Sequence, residues 1–223
     1  MTEPQYLTAT RAAYDTVAAD YADLLRDELA GKPFDRAMLA AFAELVRSDG
    51  TARPVADVGC GPGRVTAHLD GLGLTAFGVD LSPGMIEQAR RDRPGLDFTV
   101  GAMTDLAIAD GALGGLVAWY SVIHTPPELL PEVFAEFARV LAPGGHLLLA
   151  FQTGNEKRHI QQGYGHDGLA LDAYRLSPDA VAGLLADAGT PVFATLVREP
   201  EGREPTPQAY LLARKGGSAA GTS

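Results

Sequence analysis

Val55–Thr66 reads VADVGCGPGRVT, and a second apolar run, AFGVD, ends at Asp80. A short apolar segment that ends in an acid, a loop with glycines at 59, 61 and 63, and then a helix-like stretch predict a strand, a tight turn and a helix. That order brings main-chain amides to a helix N-terminus, where a polar ligand can come close. An acid about 20 positions after the first glycine, at the tip of the next strand, is placed to take the two hydroxyls of a ribose. Asp80 stands there, so the stretch predicts a nucleoside cofactor.

The glycine spacing narrows the choice. A pyrophosphate loop of the GxGxxG type needs its third glycine at position 64, where this chain has Arg64. The pattern is instead DxGxGxG, opened by Asp57. A carboxylate at this point repels pyrophosphate and attracts an ammonium or sulfonium group, which points to S-adenosylmethionine. DVGCGPGRVTAHL resembles the first motif of the class I S-adenosylmethionine-dependent methyltransferases, and the resemblance runs from about Tyr14 to Arg214. GVDLSPGMIEQAR (78–90) is similar to their second motif, which implies that Asp80 holds the ribose and that Leu81 and Met85 pack on the adenine. FTVGAMTDL (98–106) resembles the third; where many relatives carry an acid for the adenine amino group this chain has Ala102, with Met103 beside it. LVAWYSVIHTPPELL (116–130) resembles the fourth, whose strand end, here Tyr120 and Ser121, passes beneath the transferred methyl. VLAPGGHLLLAF (140–151) matches the fifth.

The implied fold is α/β: a doubly wound, mostly parallel, seven-stranded Rossmann-like sheet with an N-terminal helical lid. Alternation of strand-like and helix-like runs from 55 to 152 supports a parallel sheet covered on both faces. The expected organisation is a single methyltransferase domain over 1–215, with a helical lid at 1–50, a cofactor-binding core at 51–152, a substrate loop and closing hairpin at 153–215, and a flexible tail at 216–223. Tyr14, Val17, Ala18, Tyr21, Leu24 and Leu25 recur at helical spacing, and Tyr14 and Tyr21 are expected to close over the cofactor, where an aromatic face attracts a sulfonium. Residues 152–176 break the alternation and read as a long polar loop rich in rings, the expected substrate wall, with Arg158, Tyr164, His166 and Asp167 as candidate contacts.

A chain of 223 residues with 46% hydrophobic content suits one domain with a sizeable core. A formal charge of −10 without a basic cluster argues against nucleic acid or an anionic membrane and for a small-molecule substrate. One cysteine, Cys60, excludes a disulfide framework; between two glycines it reads as packed within the cofactor loop. MTEPQYLTAT shows no basic segment followed by an apolar core, and no run reaches the ~18 apolar residues of a membrane span, so the expected location is the cytoplasm. No metal is expected, because the carboxylates and histidines show no ligand spacing. Oligomeric state stays open, a homodimer included.

His124 follows the fourth strand closely enough to reach the departing methyl, and a neutral imidazole there can take a proton from an attacking hydroxyl. Methyl transfer can also run by alignment alone, without a base. The expected activity is methyl transfer to an oxygen or nitrogen of a small molecule. Two others stay open at this point: a cofactor-retaining protein of the same fold that acts on a natural product by an eliminative or pericyclic step, and a nicotinamide-dependent oxidoreductase, disfavoured by Asp57 and Arg64.

Overall fold

The computed structural model describes residues 3–50, 52–202 and 204–217. Two helices come first, α1 (Gln5–Leu25) and α2 (Pro33–Ser48). Strand and helix then alternate through β1 (Val55–Val58), α3 (Arg64–Gly71), β2 (Ala76–Asp80), α4 (Pro83–Asp92), β3 (Asp97–Val100), β4 (Leu113–Trp119), α5 (Leu130–Val140) and β5 (Leu141–Gln152). A hairpin of β6 (Lys157–Gly163) and β7 (His166–Tyr174), the helix α6 (Pro178–Asp187) and the strands β8 (Val192–Arg198) and β9 (Gln208–Arg214) complete the order.

Seven strands form one sheet in the order β3-β2-β1-β4-β5-β9-β8, with β9 antiparallel to both of its neighbours and the other pairs parallel. Every residue of β1 and β4 is buried, as strands covered on both faces must be. One face packs against α5 and α6 through Val133, Phe134, Phe137 and Leu185, and the other against α2 and α3 through Leu39, Phe42, Val46 and Leu69. The α2 contact depends on Gly115: a Cβ there would lie 2.7 Å from the Phe42 ring and 2.9 Å from Val46. Strand order reverses between β1 and β4, and a crevice opens there beyond the carboxyl ends of the strands.

Of the two helices in 1–50, only α1 crosses that crevice; α2 belongs to the sheet layer. Ala13, Val17 and Ala18 of α1 pack on Met85 of α4 and on Leu169 and Leu171 of β7. Residues 152–176 therefore do not form the expected loop. They pair as an antiparallel hairpin whose two-residue turn, Tyr164-Gly165, has φ of 54° and 84°, joining Gly163 to His166. Two consecutive left-handed residues are what a turn matched to strand twist requires. Of the expected tail, residues 218–223 lie outside the described residues.

Candidate active site

The loop between β1 and α3 carries Gly59, Gly61 and Gly63 at φ of 76°, 53° and 77°. A Cβ on Gly59 would meet the Ser121 Cβ at 2.2 Å, so only glycine lets the loop lie against the end of β4. Ser121 ties the other side by donating from Oγ to the Val58 carbonyl at 2.7 Å. The Asp80 carboxylate fixes the loop from β2: Oδ2 accepts from the Gly61 amide at 2.7 Å and Oδ1 from the Ser82 amide at 2.9 Å. Burial raises its pKa above the ordinary carboxylate range. Each oxygen keeps a further lone pair for a ligand.

The cavity above this loop is walled by Gly59, Gly61, Asp80, Leu81 and Met85 on one side and by Ala102, Met103, Tyr120, Ser121 and His124 on the other, with Tyr14 and Tyr21 of α1 as the roof. These twelve expected site residues come together. Three others do not line the cavity. The Cys60 side chain turns away into a cluster with Ile86, Ala89 and Phe98, where burial holds its thiol well above the usual range. Gly63 faces the Phe98 ring, and the Asp57 side chain lies buried behind the loop.

The expected substrate wall is also corrected. Arg158 and Asp167 are exposed on the hairpin, away from the cavity. Tyr164 and His166 meet α1 instead: the Tyr164 and Tyr21 rings stand 4.9 Å apart, and His166 Nε2 lies 2.8 Å from an Asp20 carboxylate oxygen. The hairpin was misplaced because a long polar segment rich in rings resembles a binding loop, whereas these rings are spent on bracing the roof helix. The outer wall comes from the start of α1, through Tyr6, Leu7, Thr10 and Arg11, and from Thr125. Extending the helical stripe of Tyr14 and Tyr21 back by three, four and seven residues would have found Arg11, Thr10 and Leu7. Trp119 and Tyr120 are neighbours in the chain, and both reach the cavity because Tyr120 leaves the strand at φ 52°. That left-handed conformation is strained for a bulky residue and sits at the site.

Polar contacts seat α1. Arg11 Nε donates to the Leu81 carbonyl at 3.3 Å, and Asp15 Oδ1 accepts from Ser82 Oγ at 2.5 Å and from the Gly84 amide at 2.8 Å. Tyr14 Oη lies 2.7 Å from His124 Nε2. The expectation that His124 faces an acceptor directly is therefore corrected: its outward nitrogen is already engaged by Tyr14, and its Nδ1 lies 2.8 Å from the Asp172 carbonyl oxygen.

Behind the loop, two charged side chains are incompletely satisfied among the described residues. Asp57 Oδ2 accepts from Thr66 Oγ1 at 2.7 Å, while Oδ1 is buried without a partner. Burial pushes the Asp57 pKa up to about 6, against the pull of Thr66 and Arg64. Arg64 pairs with Glu28 at 2.9 Å through Nη2, and its Nη1 is buried without a partner.

Sheet order, glycine loop and acidic strand tip together define a nucleoside-binding α/β protein. Residues 55–145 match the family model described as a methyltransferase domain. An uncharacterized methyltransferase of Mycobacterium bovis is 33% identical over 124 residues, 52% of this chain and 49% of that protein. A demethylmenaquinone methyltransferase of Beutenbergia cavernae is 32% identical over 143 residues, 61% of this chain and 55% of that protein. The chain thus spans about half the length of the curated relatives it matches. Among solved structures, the 1,6-didemethyltoxoflavin-N1-methyltransferase of Burkholderia thailandensis superposes with a TM-score of 0.72 at 21% identity, covering 97% of this chain and 92% of that one. Residues 55–145 thus resemble the methyltransferase family, and the fold is that of solved class I S-adenosylmethionine-dependent methyltransferases.

Proposed function

We propose that this protein uses S-adenosylmethionine to methylate an oxygen or nitrogen of a small molecule. The observation that carries the cofactor reading is the cavity itself, where the glycine loop over 59–63, held by the Asp80 carboxylate, faces the aromatic roof of Tyr14 and Tyr21. The free lone pairs of Asp80 suit the two hydroxyls of a ribose, and the faces of Tyr14 and Tyr21 attract a sulfonium. Asp80 is the ribose residue in this reading, with Leu81, Met85, Ala102 and Met103 around the adenine, and Tyr14, Tyr21, Tyr120 and Ser121 around the reactive end. S-adenosylmethionine brings an electrophilic methyl on a sulfonium; the chain's own task is to hold, align and exclude water.

Acceptor class follows from the outer wall. Tyr6, Leu7, Thr10 and Thr125 offer apolar surface and hydroxyls, and Arg11 is already paired with Glu3 at 2.6 Å. Such a wall suits a small, largely uncharged molecule. Similarity to enzymes named for a quinone and a toxoflavin precursor supports the same reading. Among the described residues no helix is long and apolar enough to cross a membrane. The test is incubation with S-adenosylmethionine and a panel of hydroxylated and amine-bearing metabolites, followed by S-adenosylhomocysteine and methylated product. Equal amounts of both are expected from at least one acceptor. Conversion of an acceptor with the cofactor left intact would replace methyl transfer by another reaction.

A further inference from the structure

Tyr14 and His124 meet in the cavity wall in a geometry that fixes where each proton sits. The Asp172 main-chain oxygen can only accept, so His124 Nδ1, 2.8 Å away, carries the hydrogen. Burial holds the His124 pKa below its ordinary value and keeps the ring neutral near pH 7. Its Nε2 therefore bears a lone pair, and Tyr14 Oη, 2.7 Å away, donates to it. A phenol has one hydrogen, and this one points away from the cavity. What Tyr14 presents to the cavity is an oxygen with lone pairs only.

We infer that Tyr14 is the residue that selects the acceptor: its hydroxyl oxygen accepts a hydrogen bond from the O–H or N–H of the incoming nucleophile, so the site takes protic acceptors and rejects congeners without a hydrogen on the reacting atom. This rests on the methyl-transfer reading above. Held by its hydrogen, the nucleophile keeps a lone pair free to face the methyl. The chain of donors from Tyr14 through His124 to the Asp172 carbonyl makes the Tyr14 oxygen a better acceptor than an isolated phenol. A nitrogen whose hydrogens have all been replaced no longer fits, so the same contact ends successive methylation.

His124 and Asp172 are positioning residues in this scheme, since they act through Tyr14. The Asp172 carboxylate is turned outward, 2.8 Å from both Lys157 Nζ and His159 Nδ1, and leaves its carbonyl to orient the imidazole. The hairpin thus contributes to the site after all, through one main-chain oxygen of β7. The other titratable groups acting on Tyr14 are Tyr21, Tyr164, Asp80 and Arg64, and among the described residues His124 is the side chain that the Tyr14 hydroxyl meets.

The histidine nitrogen signals of 15N-labelled protein test this directly, alone and with S-adenosylhomocysteine, for wild type and Tyr14→Phe. A protonated Nδ1 and unprotonated Nε2 at His124 are expected near pH 7, with only the Nε2 signal displaced in Tyr14→Phe. A proton on Nε2, or an Nε2 signal indifferent to Tyr14→Phe in a folded variant, would overturn the inference. Phenol and anisole are then titrated into the S-adenosylhomocysteine complex. Phenol should shift the Nε2 signal in wild type and not in Tyr14→Phe, and anisole should leave it unmoved. The same response to both probes, or to neither, counts against it. Failure of S-adenosylhomocysteine to bind would refute the cofactor reading and leave the tautomer result standing.

Discussion

Replacing Asp57 by Asn measures what this buried carboxylate costs the fold. Asp57 is fully buried, with one oxygen bonded to Thr66 and the other without a partner. Its pKa stands at about 6 in the folded chain against an ordinary value of 3.8. A folded-state pKa above the unfolded one means that the native protein binds the proton more tightly, so the stabilising effect of that proton is full below about 3.8 and is lost as pH rises through about 6. Two units at about 1.36 kcal/mol each give roughly 3 kcal/mol in all, about half of it between pH 5 and 8. Asn cannot ionise and stays in the state that the protonated acid resembles. Urea unfolding of wild type and Asp57→Asn at pH 5 and pH 8, without ligand, should show wild type losing about 1–2 kcal/mol more than the variant over that interval. Parallel pH dependence in the two proteins would refute the reasoning, because the buried carboxylate would then be no cost to the fold.

Other expectations follow from single contacts. Gly59→Ala places a methyl 2.2 Å from the Ser121 Cβ at a φ of 76° and should cost about 3 kcal/mol of unfolding free energy in urea titration; a loss under 1 kcal/mol would mean that the loop does not press on β4 as described. Asp15→Ala removes the acceptor of Ser82 Oγ and the Gly84 amide, so limited proteolysis should cut α1 several-fold faster while the cores of the sheet stay resistant. Asp80→Asn should weaken S-adenosylhomocysteine binding by about 1–3 kcal/mol, read by calorimetry, since both the Gly61 amide and the ribose lose an ionised acceptor; equal affinity would move the ribose elsewhere.

Much of this architecture was legible in residues 55–152. β1 and α3 follow from VADVGCGPGRVT because buried parallel strands read as continuous apolar runs and a glycine loop marks the turn into the helix. Asp80 was recognisable for the same reason: the motif concerns main-chain geometry, which sequence spacing controls closely. The β6–β7 hairpin was not, because β6 (KRHIQQG) is exposed on nearly all sides and offers no alternation. Its partner did carry a signal, with Leu169, Leu171 and Ala173 buried at every second position. Asp15 and the Asp172 carbonyl were beyond reach, since each acts on residues far away in the chain and only tertiary packing brings them together. The engagement of His124 by Tyr14, 110 positions apart, is of the same kind.

The central claim, that the cavity takes S-adenosylmethionine, is tested most directly by calorimetric titration of the purified protein with S-adenosylmethionine, S-adenosylhomocysteine and reduced nicotinamide dinucleotide. Saturable one-to-one binding of the first two and no heat from the third is the predicted result. Binding of the dinucleotide in preference to both, or a folded protein indifferent to the two adenosyl compounds, would contradict the assignment of the glycine loop and Asp80 to that cofactor.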